Sequence, residues 1–122
     1  MAIDPRGSDL KRFLAEDDGG PVVMLNLLRF RPDGGRERYA EYVRAFTPFA
    51  RNHGAELVYV GDGKNALVAE PGQSWDVVLL VRYPNRAAFS KMVADPEYQK
   101  ITHLRSGALI EAVLQPTAEW AG

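Results

Sequence analysis

Residues 82–101 read RYPNRAAFSKMVADPEYQKI, and this stretch holds two helix-start signals ten residues apart. Asn85 is a residue type that commonly caps a helix start, and Asp95 is followed by Pro96, which suits a first helical position. Because the residue before a proline avoids helical backbone angles, the first helix has to end near Asp95. The stretch therefore predicts a pair of helices that bends over a sheet and returns the chain to it.

The rest of the chain supplies the sheet and one long helix. Residues 21–30 (PVVMLNLLRF) and 75–83 (WDVVLLVRY) are nearly continuous apolar runs, which is typical of strands covered on both faces. Residues 36–53 carry aromatic and apolar side chains at the helical period. Residues 66–70 (ALVAE) either continue the second strand or pair back on it. The predicted strands are residues 21–30, 55–61, 75–83 and 109–117.

The order of these elements indicates an α+β fold, the ferredoxin-like βαββαβ sandwich with a four-stranded antiparallel sheet. Right-handed crossovers place the helices on one face of the sheet and make the first and third strands central, which agrees with their apolar character. The other face would expose apolar side chains from VVMLNLL (22–28) and VVLLV (77–81) to water. A second copy of the same sheet is the simplest cover for that face, so we expect a homodimer.

The chain is expected to contain two segments. Ser8 is a candidate cap for a short amphipathic helix over residues 9–16, whose apolar stripe is formed by Leu10, Phe13 and Leu14. We therefore divide the chain into an N-terminal helical extension, residues 1–20, and a ferredoxin-like α+β domain, residues 21–122.

Composition argues against several function classes. The 122 residues include no cysteine, which rules out disulfides and thiol chemistry and fits a reducing cytoplasm. The formal net charge of −1 gives no bulk attraction to nucleic acid, and two histidines are too few for a histidine-rich metal site. The longest apolar runs are far too short to span a bilayer. We expect a cytoplasmic protein with no metal, no cofactor, and neither nucleic acid nor a membrane as partner.

Several segments resemble the domain of unknown function 1330 family, which belongs to the dimeric α+β barrel superfamily. The resemblance covers residues 20–117, and its most specific pieces are MLNLLRF (24–30) and DPEYQ (95–99). It implies two four-stranded sheets joined into one barrel across a homodimer. It implies no function directly, because the family lacks an established one. Related barrels include cofactor-free monooxygenases, haem-degrading enzymes and small-lactone isomerases.

Asn26 is the most unusual residue of the predicted sheet. It lies in the middle of a strand that is expected to be covered on both faces. A buried amide has to be hydrogen-bonded, since leaving it unpaired costs about 1–3 kcal/mol. Asn26 therefore either orients a polar atom of a ligand or bonds to a neighbouring group, and the sequence does not say which face of the sheet it points to.

Arg105 falls on the inward stripe of the last predicted helix. The stripe consists of Tyr98, Ile101, Arg105 and Ala108. A buried guanidinium requires a carboxylate or a ligand anion, so we expect it near Asn26 or an acidic strand residue. The alternatives are a ligand-binding role and an internal ion pair with Asp76 or Glu111.

Three further residues are candidates for a ligand site. Trp75 and Tyr59 are amphipathic aromatic residues on or beside strands, a class that lines apolar pockets but more often packs in cores or dimer contacts. His103 lies nearer the polar side of the last helix. It is a candidate acid–base group, weighed against a solvated surface histidine.

Three hypotheses for function follow. The first is a cofactor-independent enzyme, monooxygenase- or isomerase-like, that acts on a small apolar or aromatic molecule held by Asn26 and Arg105 between walls of Trp75 and Tyr59. The second is a non-catalytic dimeric module that binds a small ligand or a protein. The third is haem degradation, because Asn26, Trp75 and His103 resemble residues used by related haem-degrading barrels. The poor placement of His103 leads us to expect no stoichiometric haem binding, and the sequence does not decide whether the chain is an enzyme.

Overall fold

Five helices and four strands follow one another in residues 3–120, the part of the chain that the computed structural model describes. Residues 1, 2, 121 and 122, at the outer ends of the two segments expected from the sequence, lie outside the described residues. In chain order the elements are α1 (Gly7–Ala15), β1 (Val22–Phe30), α2 (Gly35–Asn52), β2 (Glu56–Asp62), β3 (Val77–Tyr83), α3 (Arg86–Ala94), α4 (Pro96–Gln99), α5 (Thr102–Ser106) and β4 (Leu109–Thr117).

The four strands form one antiparallel sheet in the order β2-β3-β1-β4. The central strands are β1 and β3, the two apolar runs, as the sequence predicted. In their register Met24 lies opposite Val81 and Leu28 lies opposite Val77, and all four side chains are buried. The prediction of a ferredoxin-like α+β fold is confirmed.

The helix pair predicted from residues 82–101 is present, with both caps. The Asn85 side chain accepts a hydrogen bond from the Ala88 amide at 2.8 Å, and Asp95 accepts one from the Glu97 amide at 2.9 Å. The second helix is shorter than its stripe suggested, because it ends at Gln99 and restarts as α5. At the break, backbone amides donate to carbonyls three residues earlier, as in a 3₁₀-helix, instead of four residues earlier. The Thr102 hydroxyl donates to the Gln99 carbonyl at 3.0 Å.

Two local predictions were wrong. The first helix is capped by Arg6 rather than Ser8, because the Asp9 carboxylate accepts from the Arg6 amide at 2.9 Å and so moves the helix start toward the N-terminus. Residues 66–70 form no strand but part of the long loop between β2 and β3, where Leu67 is fully exposed. None of the helices in residues 3–120 has the length and apolar character needed to cross a membrane.

The core between the helices and the sheet is divided into two clusters. The first cluster is built around Leu28, Leu109 and the tyrosines of α2, with Tyr98 of α4 packed on them. The second is built around Met24, Phe89 and Met92, and α1 closes it from outside through Phe13, whose ring meets that of Phe89 edge-on at 5.4 Å. The division matters for function because the space between the clusters is not filled.

The face of the sheet turned away from the helices is also apolar. Successive strand residues point to opposite faces, so the neighbours of the buried core residues lie on this face. Leu25 lies opposite Leu80, and Leu27 lies opposite Val78 and Val113. These side chains are half-buried in the single chain. We refer to them below as the open face.

Candidate functional site

A cavity of about 670 Å³ separates the two core clusters between the helices and the sheet. The sheet contributes Met24, Asn26 and Leu79 to its walls, and the helices contribute Phe46, Met92 and Tyr98. Its size falls within the range of about 300–1,000 Å³ that small-molecule sites occupy. Mostly apolar walls with a few converging polar groups are the usual composition of such sites.

Arg105 supplies a buried cation to the cavity. The residue is 7% exposed and belongs to α5, so the sequence-based expectation that it faces the interior is confirmed. Its Nη1 donates to the Ile3 carbonyl at 2.6 Å and to Asp4 Oδ1 at 2.8 Å. Its Nη2 is buried and has no hydrogen-bond partner among residues 3–120. The guanidinium therefore has one buried terminal nitrogen whose hydrogen-bonding capacity the described residues do not use.

The carboxylate partners predicted for Arg105, Asp76 and Glu111, were wrong. Asp76 instead accepts the Phe30 amide at 2.8 Å, where β1 ends, and Glu111 pairs with Arg29 at 3.2 Å. Both carboxylates are therefore engaged elsewhere. The carboxylate that does meet Arg105 is Asp4, whose side chain is 52% exposed, so one end of the ion pair remains in water.

Two tyrosines form a neutral hydrogen-bonding pair on the cavity wall. The hydroxyls of Tyr42 on α2 and Tyr98 on α4 are 2.9 Å apart, and both rings are buried. Burial raises the pKa of Tyr42 well above its ordinary value and raises the pKa of Tyr98, despite the opposing effect of the Arg105 charge. Neighbouring Tyr39 behaves alike, since burial raises its pKa to about 12. These phenols stay protonated at neutral pH and serve as hydrogen-bond donors.

Asn26 points toward the helices and lines the cavity. It lies in β1 between Met24 and Leu28, where the two core clusters part. Its Nδ2 donates to the Met24 carbonyl at 3.2 Å. The amide is tolerated in the middle of the strand because it borders a cavity rather than packed side chains, and its position brings it to the same space as Arg105.

The structure places the other three candidates outside the cavity lining. Tyr59 is 57% exposed, because a register shift between Leu57 and Tyr59 turns its ring to the open face, opposite Leu80. Trp75 precedes β3 and packs under the Arg29 guanidinium at 5.0 Å. His103 is exposed on α5. The expected cavity walls of Trp75 and Tyr59 are therefore replaced by helix and sheet residues.

Sequence reasoning missed the tyrosine pair and Asp4. Tyr42 and Tyr98 were assigned only to apolar helix stripes. Two buried tyrosines on packed helices are a usable signal, because each phenol hydroxyl needs a polar partner. For Asp4 the sequence carries no signal, since its partner lies 101 residues away.

The chemistry available in the cavity is that of recognition. Among the described residues that line it, Asp4 is the one carboxylate, and none is a histidine. No cluster of three or more His, Cys, Asp or Glu side chains within residues 3–120 is arranged to hold a metal ion. Arg105, Asn26 and the neutral tyrosines can bind and orient a polar group, while the apolar walls contact the remainder of a molecule.

Comparison with known proteins identifies the family. The family described as domain of unknown function (DUF1330) matches residues 34–115. A crystal structure of a protein of unknown function from Rhodopseudomonas palustris is 32% identical, covers 98% of each chain and has a TM-score of 0.90. A second structure of the same protein in methylated form is 34% identical over 98% of this chain and 95% of that one, also with a TM-score of 0.90.

More distant structures share the fold alone. A dimeric ferredoxin-like protein of unknown function from Jannaschia sp. is 14% identical over 82% of this chain and all of that one, with a TM-score of 0.63. A candidate antibiotic biosynthesis monooxygenase from Bacteroides thetaiotaomicron is 19% identical over 82% and 90% of the two chains, with a TM-score of 0.58. No curated protein matches the chain. Because the family match spans more than half of its length, the chain belongs to the domain of unknown function (DUF1330) family.

Proposed function

We propose that the protein is a homodimeric small-molecule-binding protein whose ligand occupies the cavity between the helices and the sheet. The observation that carries the proposal is the buried guanidinium of Arg105, a residue of the cavity wall, whose Nη2 has no hydrogen-bond partner in the described part of the chain. A buried polar group without a partner is uncommon in folded proteins, and a ligand acceptor would satisfy it.

The cavity walls suit a small and largely apolar molecule. Phe46 and Met92 give it aromatic and polarisable surface, and Leu79 gives it aliphatic surface from the sheet. Arg105 lies close enough to the Tyr42–Tyr98 pair for its charge to act on both phenols, and Asn26 adds an amide from the sheet. A few polar groups among apolar walls suit a ligand that has a polar end and an apolar body.

Catalysis without a cofactor on the same ligand is a second candidate function. The neutral Tyr42–Tyr98 hydroxyls beside a cation are the type of group that stabilises an oxyanion, as an isomerase- or monooxygenase-like reaction would require. The fold shared with the candidate monooxygenase from Bacteroides thetaiotaomicron is consistent with this reading. Binding is favoured over catalysis because Asp4 is the one carboxylate among the described residues that line the cavity. Haem degradation is disfavoured, because His103, the histidine it would use, is exposed and does not line the cavity.

The homodimer is supported by the open face of the sheet. Leu25, Leu27 and Leu80 form an apolar surface across the central strands, and a second copy would cover it through a two-fold contact. The Jannaschia protein with the same fold is described as dimeric. We place this dimer in the cytoplasm, which its lack of cysteine fits.

A thermal-shift screen against small metabolites tests the binding proposal, because a ligand stabilises the folded protein by mass action. Hits are repeated with Val43→Trp/Thr47→Trp, which places two indole rings in the cavity from α2. The matched control is Ala40→Trp/Arg44→Trp, at the same spacing on the exposed side of that helix. We expect hits whose shift is lost in the first variant and kept in the second. Hits that survive filling of the cavity would overturn the proposal.

A further inference from the structure

The N-terminal segment Ile3–Pro5 lies across one side of the cavity. Asp4 and Pro5 are part of its lining, and the Ile3 side chain packs against the first core cluster. The segment brings two acceptors to the same nitrogen of Arg105, the Ile3 carbonyl and the Asp4 carboxylate. A carboxylate of the protein's own chain therefore pairs with Arg105, the one buried cation among the described residues of the cavity wall.

This contact uses only part of the guanidinium. The Asp4 carboxylate and the Ile3 carbonyl both accept hydrogen bonds from Nη1, while Nη2 is buried without a partner among the described residues. A guanidinium presents a planar fork of donors that matches the two oxygens of a carboxylate. The carboxylate of a ligand in place of Asp4 can accept hydrogen bonds from both Nη1 and Nη2, so that neither terminal nitrogen is left without a partner.

The contact between Asp4 and Arg105 is also open to exchange. The Asp4 side chain is 52% exposed, and ion pairs with an exposed partner are weak. Residues 3–6 have no helical or strand structure, and α1 begins only at Gly7 with its own cap on Arg6. The segment can therefore leave Arg105 without unfolding a helix.

Resting on the proposed small-molecule site, we propose that the ligand is a monocarboxylic acid with an apolar or aromatic body, whose carboxylate replaces Asp4 on Arg105. The segment Ile3–Pro5 is then a strap that closes the site when no acid is bound. A second carboxylate has no buried cation to pair with in residues 3–120, because the other cation on the lining, Arg51, is exposed. The Tyr42–Tyr98 hydroxyls give further donors on the same wall.

The test measures the dissociation constants of two acids, 3-phenylpropionate and octanoate, and of their primary amides, which keep the shape and lack the charge. In the wild-type protein we expect each acid to bind at least tenfold more tightly than its amide. Asp4→Asn should tighten binding of the acids about 2- to 5-fold, because it removes the competing carboxylate of an ion pair that is exposed at the Asp4 end, and it should leave binding of the amides unchanged. Arg105→Gln should abolish the preference for the acid.

Asp33→Asn is the matched control, since it removes the same charge from an exposed turn before α2. It should leave all four dissociation constants unchanged.

The outcomes separate the two proposals. If both amides bind as well as their acids, or if Asp4→Asn weakens the acids, the exchange of carboxylates is overturned. A third result would also overturn the exchange of carboxylates but would support the cavity as a binding site. In that result neither acid binds, while uncharged metabolites raise the melting temperature of the wild type and not that of Val43→Trp/Thr47→Trp. If no molecule gives a shift that depends on the cavity, the proposed function fails together with the inference.

Discussion

Removal of one hydroxyl from the Tyr42–Tyr98 pair is expected to destabilise the protein more than removal of both. The two oxygens are 2.9 Å apart and both residues are buried, at 5% and 7% exposure. Tyr42→Phe or Tyr98→Phe alone leaves the surviving hydroxyl without its partner, which costs about 1–3 kcal/mol. The double substitution leaves no polar group behind. It should therefore cost about 0–1 kcal/mol, because replacing both partners by apolar groups is close to neutral.

Urea unfolding of the wild type, the two single variants and the double variant measures these free energies as a thermodynamic cycle. We expect a coupling of about 1–6 kcal/mol, which is the sum of the two single costs minus the cost of the double variant. The slope of unfolding free energy with urea should stay constant, so that shifts of the midpoint report stability alone. Tyr59→Phe is the control, since that ring is 57% exposed and should change stability by no more than about 0.5 kcal/mol.

Additive single effects would refute this reasoning, since they would show that the hydroxyls do not depend on each other. Single costs below about 0.5 kcal/mol would refute it differently, because cavity water would then serve each hydroxyl equally well.

Three further outcomes are expected. Arg105→Ala should destabilise the protein by about 1–2 kcal/mol, measured by urea unfolding. This is less than the roughly 3–5 kcal/mol of a broken buried ion pair, because the Asp4 carboxylate stays hydrated when its partner is removed. A loss of about 3–5 kcal/mol would contradict this expectation. Since burial raises the pKa of Tyr39 to about 12, this residue ionises first in the unfolded state as pH rises above 10. Tyr39 alone should therefore lower the unfolding free energy by up to about 1.4 kcal/mol per pH unit until about pH 12, and the other buried tyrosines add to the fall. The unfolding free energy of Tyr39→Phe should fall less steeply over the same pH range. Light scattering of the wild-type protein should give twice the chain mass. Leu25→Lys on the open face should give monomers, while Leu67→Lys, at a fully exposed loop position, should leave the dimer intact. A monomeric wild-type protein would refute the proposed homodimer.

The architecture was accessible from sequence because its signals are local. The apolar runs that became β1 and β3 are continuous in the chain, and the Asn85 and Asp95 caps act within three residues. The break between α4 and α5 was missed, since it depends on a tightening of backbone hydrogen bonds that the apolar stripe does not reveal.

The candidate site was accessible only in part. Asn26 and Arg105 were found because a polar group on an apolar strand or stripe is conspicuous. Tyr59 was placed on the wrong side because a register shift in β2 reverses the face of a strand residue. The pairing of Arg105 with Asp4 joins residues from opposite ends of the chain, and such long-range contacts leave no mark in periodicity or spacing.

A crystal structure of the protein with bound 3-phenylpropionate is the most direct measurement of where and how it binds a ligand. We expect the phenyl ring between the sheet and α2 near Met24 and Phe46, with the carboxylate on both terminal nitrogens of Arg105 and Asp4 withdrawn from it. A ligand found on the open face or the outer surface, with the cavity empty and Asp4 still on Arg105, would contradict the proposed site.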